Sequence, residues 1–574
     1  DLHEIFSIFL PSSSCRNHHS HYSTFLQSTM KTSILALSAL SLANAESTLS
    51  LRRRLSFEKV AGYNPGSQVT DHCAVDRDQA AIEALLAKKT NDAFTSAKAI
   101  YNNGGNSKSY AIVTLTPALS GPLSKGARVT GRSADGIEIA GKAYKSYDAG
   151  AKEIFVQYAT TDIQASYVGC QVGSLVEDIN TEGCFAAQGD LDISGTQYAY
   201  TYVPASDNKN GRTIAGFSTQ AGEKMRMDCP GCPYTDFSYF YNYYGADDYA
   251  NQWVTAAFNG EATSFNNGNA DFSQYGFDGR VEAVKKGTAY LNIFMYVIRE
   301  FEDALDDCKR GCQNCNDDPV HAWDEGVCFY TGSIEGKDGL TPDGKLLHQL
   351  ADKRCANFKT CGLESGELDG TAKLNYELFD LFSLGQFQLQ TGNCPAARKT
   401  TKLITELMYI PMIQGTLRYA YKVGVLNEGE KAQAEGAAFA AAVLPRIHAA
   451  NRDAAKTIYD NMKVGASTTD HMAVKRAFES VYADLGINCA DIGGLWNDAT
   501  SSYYEGYGVC SDASTDATVI KEEDTTLAIV LGATFGGLFL FALLALCFMR
   551  NKEKRGQPVF SPTMAEEDKP TELH

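Results

Sequence analysis

Apolar residues return every three to four positions through most of the second half of the chain, the spacing of one buried helical stripe. VEAVKKGTAYLNIFMYVIREFEDALDDC predicts one long amphipathic helix. HAWDEGVCFYTGSIEG, DGKLLHQLADKRCANFKTC, LNYELFDLFSLGQFQLQ, KLITELMYIPMIQGTLRYAYKVG, the alanine-rich run from Glu428 and HMAVKRAFESVYADLG continue the pattern. Pro411 and Pro445 should kink or end their helices. Nearer the start, AAIEALLAKKTNDAFTSAKAIY predicts a helix within 78–104, closed by Asn102, Asn103, Gly104 and Gly105. Residues 110–205 differ. YAIVTL, ARVTG, IEIAG, EIFVQYA and YAYTYV are short β-branched and aromatic runs broken by Gly, Asp and Asn, which permits a few strands or extended loops among helices. The tyrosine-dense stretch 215–260 reads as a buried loop–helix region. The expected fold is mainly α: a duplicated helical-bundle ectodomain with some short strands or extended loops in its N-terminal part. A leader at 46–77 precedes an N-terminal lobe at 78–270 and a C-terminal helical lobe at 271–510.

The ends add targeting signals. Residues 1–29 carry no globular pattern and read as upstream sequence. Met30 opens a short apolar stretch that ends in Ala43-Asn44-Ala45, a signal peptide over 30–45. A polar stalk at 511–526 precedes an apolar, uncharged run at 527–549, long enough to span about 30 Å of hydrocarbon. Arg550, Lys552, Lys554 and Arg555 follow, which predicts a cytoplasmic tail at 550–574 and a type I, single-pass plasma-membrane protein with an extracellular ectodomain. Gly532 and Gly536 form G-x-x-x-G, which permits a homodimer through the span.

The net charge of −18 argues against nucleic-acid binding and suits a protein that attracts cations. Setting aside Cys15 and Cys547, fourteen cysteines remain, and in an oxidising compartment these predict disulfides. Cys229-x-x-Cys232 and Cys308-x3-Cys312-x2-Cys315 also have zinc spacings, but no second knuckle completes either set. No G-x-S-x-G, H-E-x-x-H, P-loop or dinucleotide fingerprint is present, so no enzyme activity is expected.

One pattern occurs twice. Tyr290 is followed nine positions later by Arg299 and then by Glu325 in WDEGVCF; Tyr409 is followed nine positions later by Arg418 and then by Glu435 in QAEGAAF. Phenol, guanidinium and carboxylate are groups that hold a hard trivalent cation and a small anion. Tyr290, Tyr409, Glu325 and Glu435 are therefore candidate ligands. His321 and Asp324 join them, since i, i+3 and i, i+4 positions share a helix face. Arg299 and Arg418 are candidate holders of a carbonate or phosphate. The competing reading is a duplication whose tyrosines, arginines and glutamates only satisfy one another in two similar cores, as in a structural or adhesive surface protein.

At IYNNGGNSKSYA, GRTIAGFSTQAGEKM, CPGCPYTDFSYFYNYYGADDYANQWV, WDEGVCFYTGSIEG and EGAAFAAAVLPRIHAANRDAAKTIYDNM, spread over most of 78–490, the chain resembles the phytotransferrins, the iron-starvation-induced surface proteins of diatoms and related algae. It is similar also to the algal iron-assimilation, low-iron-inducible periplasmic proteins. The resemblance implies capture of Fe(III) at the cell surface with carbonate as synergistic anion, followed by internalisation into endosomal vesicles. It supplies no ligand set, so the candidate site residues rest on the repeat and on oxygen-ligand chemistry.

Overall fold

Stripes of buried residues lock the helices of the second half against one another. The computed structural model describes residues 58–67, 69–104, 110–158, 184–203, 207–209, 212–311, 319–466 and 468–511. Within these, Phe294–Lys309 packs along Pro319–Thr331, and Ile410–Gly424 packs along Glu430–Ala450. The two pairs are the two copies of the repeat, and the glycine of each E-G-x-x-F run explains their closeness. A Cβ on Gly326 would meet the Phe301 ring at 2.8 Å, and one on Gly436 would meet Tyr419 Cβ at 2.9 Å. Only glycine lets the glutamate-bearing helix approach the arginine-bearing helix this far.

The long helix expected around Tyr290 is continuous but not uniform. It is α-helical over Phe277–Gly287, π-helical over Thr288–Ile293 and α-helical again over Phe294–Lys309. A second π-helical turn spans Gly222–Met227. Such turns re-aim side chains and are frequent at functional sites. Pro411 stands in the first turn of Ile410–Gly424, where its missing N–H costs nothing. Pro445 lies inside Glu430–Ala450 and does not end it; burial of nearly the whole surrounding segment outweighs the roughly 3 kcal/mol that an interior proline costs.

The fold-class expectation needs correction in the N-terminal half. The short strands there are not insertions among helices but a closed six-stranded antiparallel barrel. Its strands are β1 (Tyr110–Thr116), β2 (Arg128–Arg132), β3 (Glu138–Ala143), β4 (Glu153–Tyr158), β5 (Gln188–Ile193) and β6 (Thr196–Thr201). They run round the barrel in the order β1–β4–β3–β2–β5–β6, and β6 returns to β1. Closure depends on β1, which pairs β4 through Tyr110–Thr114 and β6 through Thr114–Thr116. Period-2 alternation fills the interior with Ala111, Val113, Leu115, Val129, Ile139, Ile154, Val156, Leu191 and Ile193, and closing the sheet removes its edges.

Two boundaries shift as well. One continuous hydrophobic core runs from Tyr63 to Tyr507, so no lobe boundary falls at residue 270. The segment expected as a polar leader contributes to the interior from Val60 onward, with Tyr63, Ser67, Val69 and His72 all buried. Among the described residues no helix is long and apolar enough to cross a membrane. The transmembrane helix of the fold-class expectation, and the type I plasma-membrane placement built on it, are withdrawn. The run 527–549 lies outside the described residues, as do the signal peptide, the stalk, the tail and the G-x-x-x-G pair. Disulfides join Cys73 to Cys328, Cys229 to Cys232, Cys308 to Cys394, Cys355 to Cys361, and Cys489 to Cys510. Cys229-x-x-Cys232 is thus a disulfide rather than half of a zinc knuckle, and Cys308 is likewise taken.

Candidate metal centre

Glu325 and His321 sit one turn apart on Pro319–Thr331, and the disulfide from Cys328 to Cys73 ties the short helix Thr70–Cys73 beside them. That staple brings in His72, which the expected ligand set did not contain. Nδ1 of His72 lies 2.8 Å, and Nε2 of His321 3.1 Å, from the same oxygen, Glu325 Oε1. The two imidazoles cross edge to face with centroids 5.2 Å apart. One ligand atom from each of His72, His321 and Glu325 falls within 4.8 Å of the others. An ion with bonds of about 2.1 Å needs only small rotamer shifts to gather three such donors.

Hydrogen-bond bookkeeping fixes the protons. Arg212 Nη2 lies 2.7 Å from His72 Nε2, and arginine can only donate, so His72 accepts there and carries its proton on Nδ1, 2.8 Å from Glu325 Oε1. Ser67 Oγ donates its one proton to Asp324 Oδ2 at 2.8 Å, so it accepts from His321 Nδ1 at 3.1 Å. With Nε2 donating to Glu325, His321 is an imidazolium in the metal-free chain. Burial alone would lower the His321 pKa, but the hydrogen bond and charge of Glu325, with Asp324 behind, raise it. Burial likewise opposes ionisation of Glu325, yet His72, Arg212 and His321 together hold its carboxyl well below the usual range. Protons and a guanidinium thus neutralise the glutamate where a cation would.

A second ring of charge adjoins this one. Lys224, from the π-helical turn Gly222–Met227, donates to Tyr296 Oη at 3.0 Å, and Tyr296 stacks on Phe217 with centroids 3.9 Å apart. Burial and then Arg299 push the Lys224 ammonium down to about 8, against the pull of Glu300 and Glu325. Burial pushes Glu300 up to about 7, Arg299 opposing and Glu325 adding to the rise.

The sequence-derived candidates scatter over three places. Glu325 and His321 meet, as their i, i+4 spacing allows. Asp324 does not join them. It faces the other way and accepts from Tyr63 Oη at 2.5 Å, Gly66 N and Ser67 N at 2.8 Å each, and Gln386 Nε2 at 3.0 Å, besides Ser67 Oγ. Asp324 and Glu325 are adjacent and so point about 100° apart round the helix, and Asp324 takes the inner face; it orients His321 through Ser67. Arg299 pairs with Glu300 at 2.6 Å and Asp303 at 3.2 Å, and the guanidinium nearest Glu325 is that of Arg212, 3.8 Å away. Tyr290 and Glu435 form a separate cluster with Lys286, Tyr419, Arg354 and Arg418. Tyr409 is in neither place: its hydroxyl donates to Asp236 Oδ1 at 3.1 Å beside Arg446, and burial, then Asp236, push its pKa well above the ordinary phenol range.

Two imidazoles and a carboxylate therefore replace the phenolate-rich set as the candidate centre. The sequence signal for His72 was slight, a histidine directly before a cysteine in TDHC, 249 positions upstream of His321. Tyr409→Phe should leave metal stoichiometry and affinity within twofold of the parent chain and lower stability by about 1 kcal/mol, the worth of one hydrogen bond. Parallel metal titration and urea unfolding check both parts. Set against known proteins, the chain matches no family model, no curated protein and no solved structure.

Proposed function

We propose that the chain is an iron-binding protein whose cargo ion is held by His72, His321 and Glu325. The observation that carries this is the convergence of those three donors, from two helices stapled together by Cys73–Cys328, within 4.8 Å. Iron is the metal that the resemblance to phytotransferrins implies, and imidazole with carboxylate suits it. A small anion such as carbonate would complete the coordination, with Arg212 its nearest cationic partner. No reaction is assigned to the centre; it binds and releases.

Release follows from proton competition. An incoming ion displaces the Nε2 proton of His321, while His72 shifts its proton from Nδ1 to Nε2 and gives up the Arg212 contact, so about one proton leaves per ion bound below the His321 pKa. That pKa is raised above the ordinary 6.5. Affinity should therefore climb as pH rises through this range and level off above it, and acid should eject the ion. Calorimetric titration in buffers of different ionisation enthalpy, from pH 8 to pH 5, measures both the protons and the slope. Constant affinity with no proton released would contradict the assignment.

A second reading has an observation behind it, because two histidines and one carboxylate also form ferrous oxygenase and catalytic zinc sites. Titrating the chain with Fe(III) citrate plus bicarbonate, with Fe(II) under argon, and with Zn(II) separates them. The iron-cargo reading expects one Fe(III) per chain, lost in His321→Ala. Fe(III) failing to bind where Zn(II) binds tightly would favour the second.

A further inference from the structure

The second copy of the repeat builds a different site from the first, and one of its groups is left incompletely partnered. Glu435, in the position Glu325 holds in the first copy, faces no imidazole. It accepts a hydrogen bond from Tyr419 and lies 3.9 Å from Lys286 Nζ. Tyr290, from the π-helical turn Thr288–Ile293, and Tyr419 both stack on Phe439, with centroids 5.2 Å and 5.9 Å away.

Arg354 projects into this cluster from Leu347–Phe358. The charged and phenolic groups around it are Arg418, Tyr419, Tyr290 and Glu435. It is only 8 % exposed, and neither Nε nor Nη1 has a hydrogen-bond partner. The Tyr290 hydroxyl makes no hydrogen bond to any described residue. Arginine keeps its charge in a protein, so a buried guanidinium with unused donors, set beside a second guanidinium, is strongly unfavourable by itself. The carboxylates at hand are already engaged: Glu435 by Tyr419 and Lys286, Glu282 by Lys286 at 3.8 Å and by Lys285 and Lys431, and Glu83, near Tyr290 and Lys286, by Gln79. An oxyanion answers each demand: it accepts two parallel bonds from a planar guanidinium fork, takes a third from a phenol, and offsets the crowded positive charge.

We propose that Arg354, Tyr290, Arg418 and Lys286 form a binding site for a small inorganic oxyanion of the charge and size of phosphate. The site shares no residue with His72, His321 and Glu325, so it stands or falls apart from the metal reading.

The test uses the full chain, stripped of metal by chelator, with inorganic phosphate as the probe and sodium chloride at equal ionic strength as the control. Phosphate should raise the unfolding temperature saturably and bind one per chain by calorimetry. Arg354→Met should weaken phosphate at least tenfold and abolish the rise. In chloride alone this variant should be as stable as the parent or more so, because an uncompensated buried charge has gone. Tyr290→Phe, which removes a single donor, should weaken phosphate severalfold without loss of fold. Carbonate and sulfate run alongside rank the anions. A parent chain indifferent to all three oxyanions would overturn the proposal, as would unchanged phosphate affinity in Arg354→Met or, should that variant fail to fold, in Tyr290→Phe.

Discussion

Glu325→Gln should reduce iron affinity by about 100-fold or more while leaving the chain folded. The side chain keeps its shape and can still accept from the imidazoles, but the charge that balances a cation is gone. Losing a group that only orients a ligand typically costs 10–100-fold, and Glu325 is itself the central donor, the one atom within 3.1 Å of both imidazoles. Glu435→Gln, the equivalent change in the second copy, should leave iron affinity unaltered. The pair is informative because the two glutamates are indistinguishable in the repeat pattern. Far-ultraviolet circular dichroism confirms the fold, and a metal titration reads the effect. Equal losses in both variants would restore a centre that draws its ligands from both copies of the repeat.

Asp324→Ala should be among the most damaging single changes, lowering stability by about 3–5 kcal/mol. Its carboxylate is fully buried and takes five hydrogen bonds, from Tyr63, Gly66, Ser67 twice and Gln386. Truncation strands all five donors. Two are backbone amides of the segment leading into Thr70–Cys73, so the damage reaches the loop that sets His72. It also frees Ser67 from its acceptor and removes what fixes His321. Where the variant remains folded, iron affinity should fall by roughly tenfold. Burial lifts this carboxyl to about 6, against the hydrogen bonds of Tyr63, Gln386 and Ser67. Asp324→Asn should therefore be milder than Asp324→Ala, since one oxygen still accepts. Urea unfolding of the three chains measures the order; an Asp324→Ala chain as stable as the parent would show that these contacts are worth nothing.

Local periodicity carried the helices well, because an amphipathic stripe is written in neighbouring residues. It could not carry the barrel. Each strand is only five to seven residues long, and closure rests on pairs such as Leu115 with Tyr200, far apart in sequence. Nothing near Leu115 encodes that partner. The repeat signalled two equivalent helix pairs and pointed to Glu325 and Glu435, whose glycine neighbours bring the pairs close. It could not show that the copies had diverged in what faces those glutamates. His72 arrives through a disulfide spanning 255 positions, Arg212 from just before Ile214–Thr219, and Arg354 from a helix outside the repeat. Tyr409 stands apart from Tyr290 for a physical reason: at the junction of Cys394–Met408 and Ile410–Gly424 its hydroxyl points to Asp236.

Iron-edge X-ray absorption of the chain loaded with one equivalent of Fe(III) tests the assignment most directly. Two histidine nitrogens beside oxygen donors, with the imidazole scattering lost by half in His72→Ala, is the outcome that fits His72, His321 and Glu325. An all-oxygen shell without imidazole, accompanied by a visible phenolate band that vanishes in Tyr290→Phe or Tyr409→Phe, would contradict it.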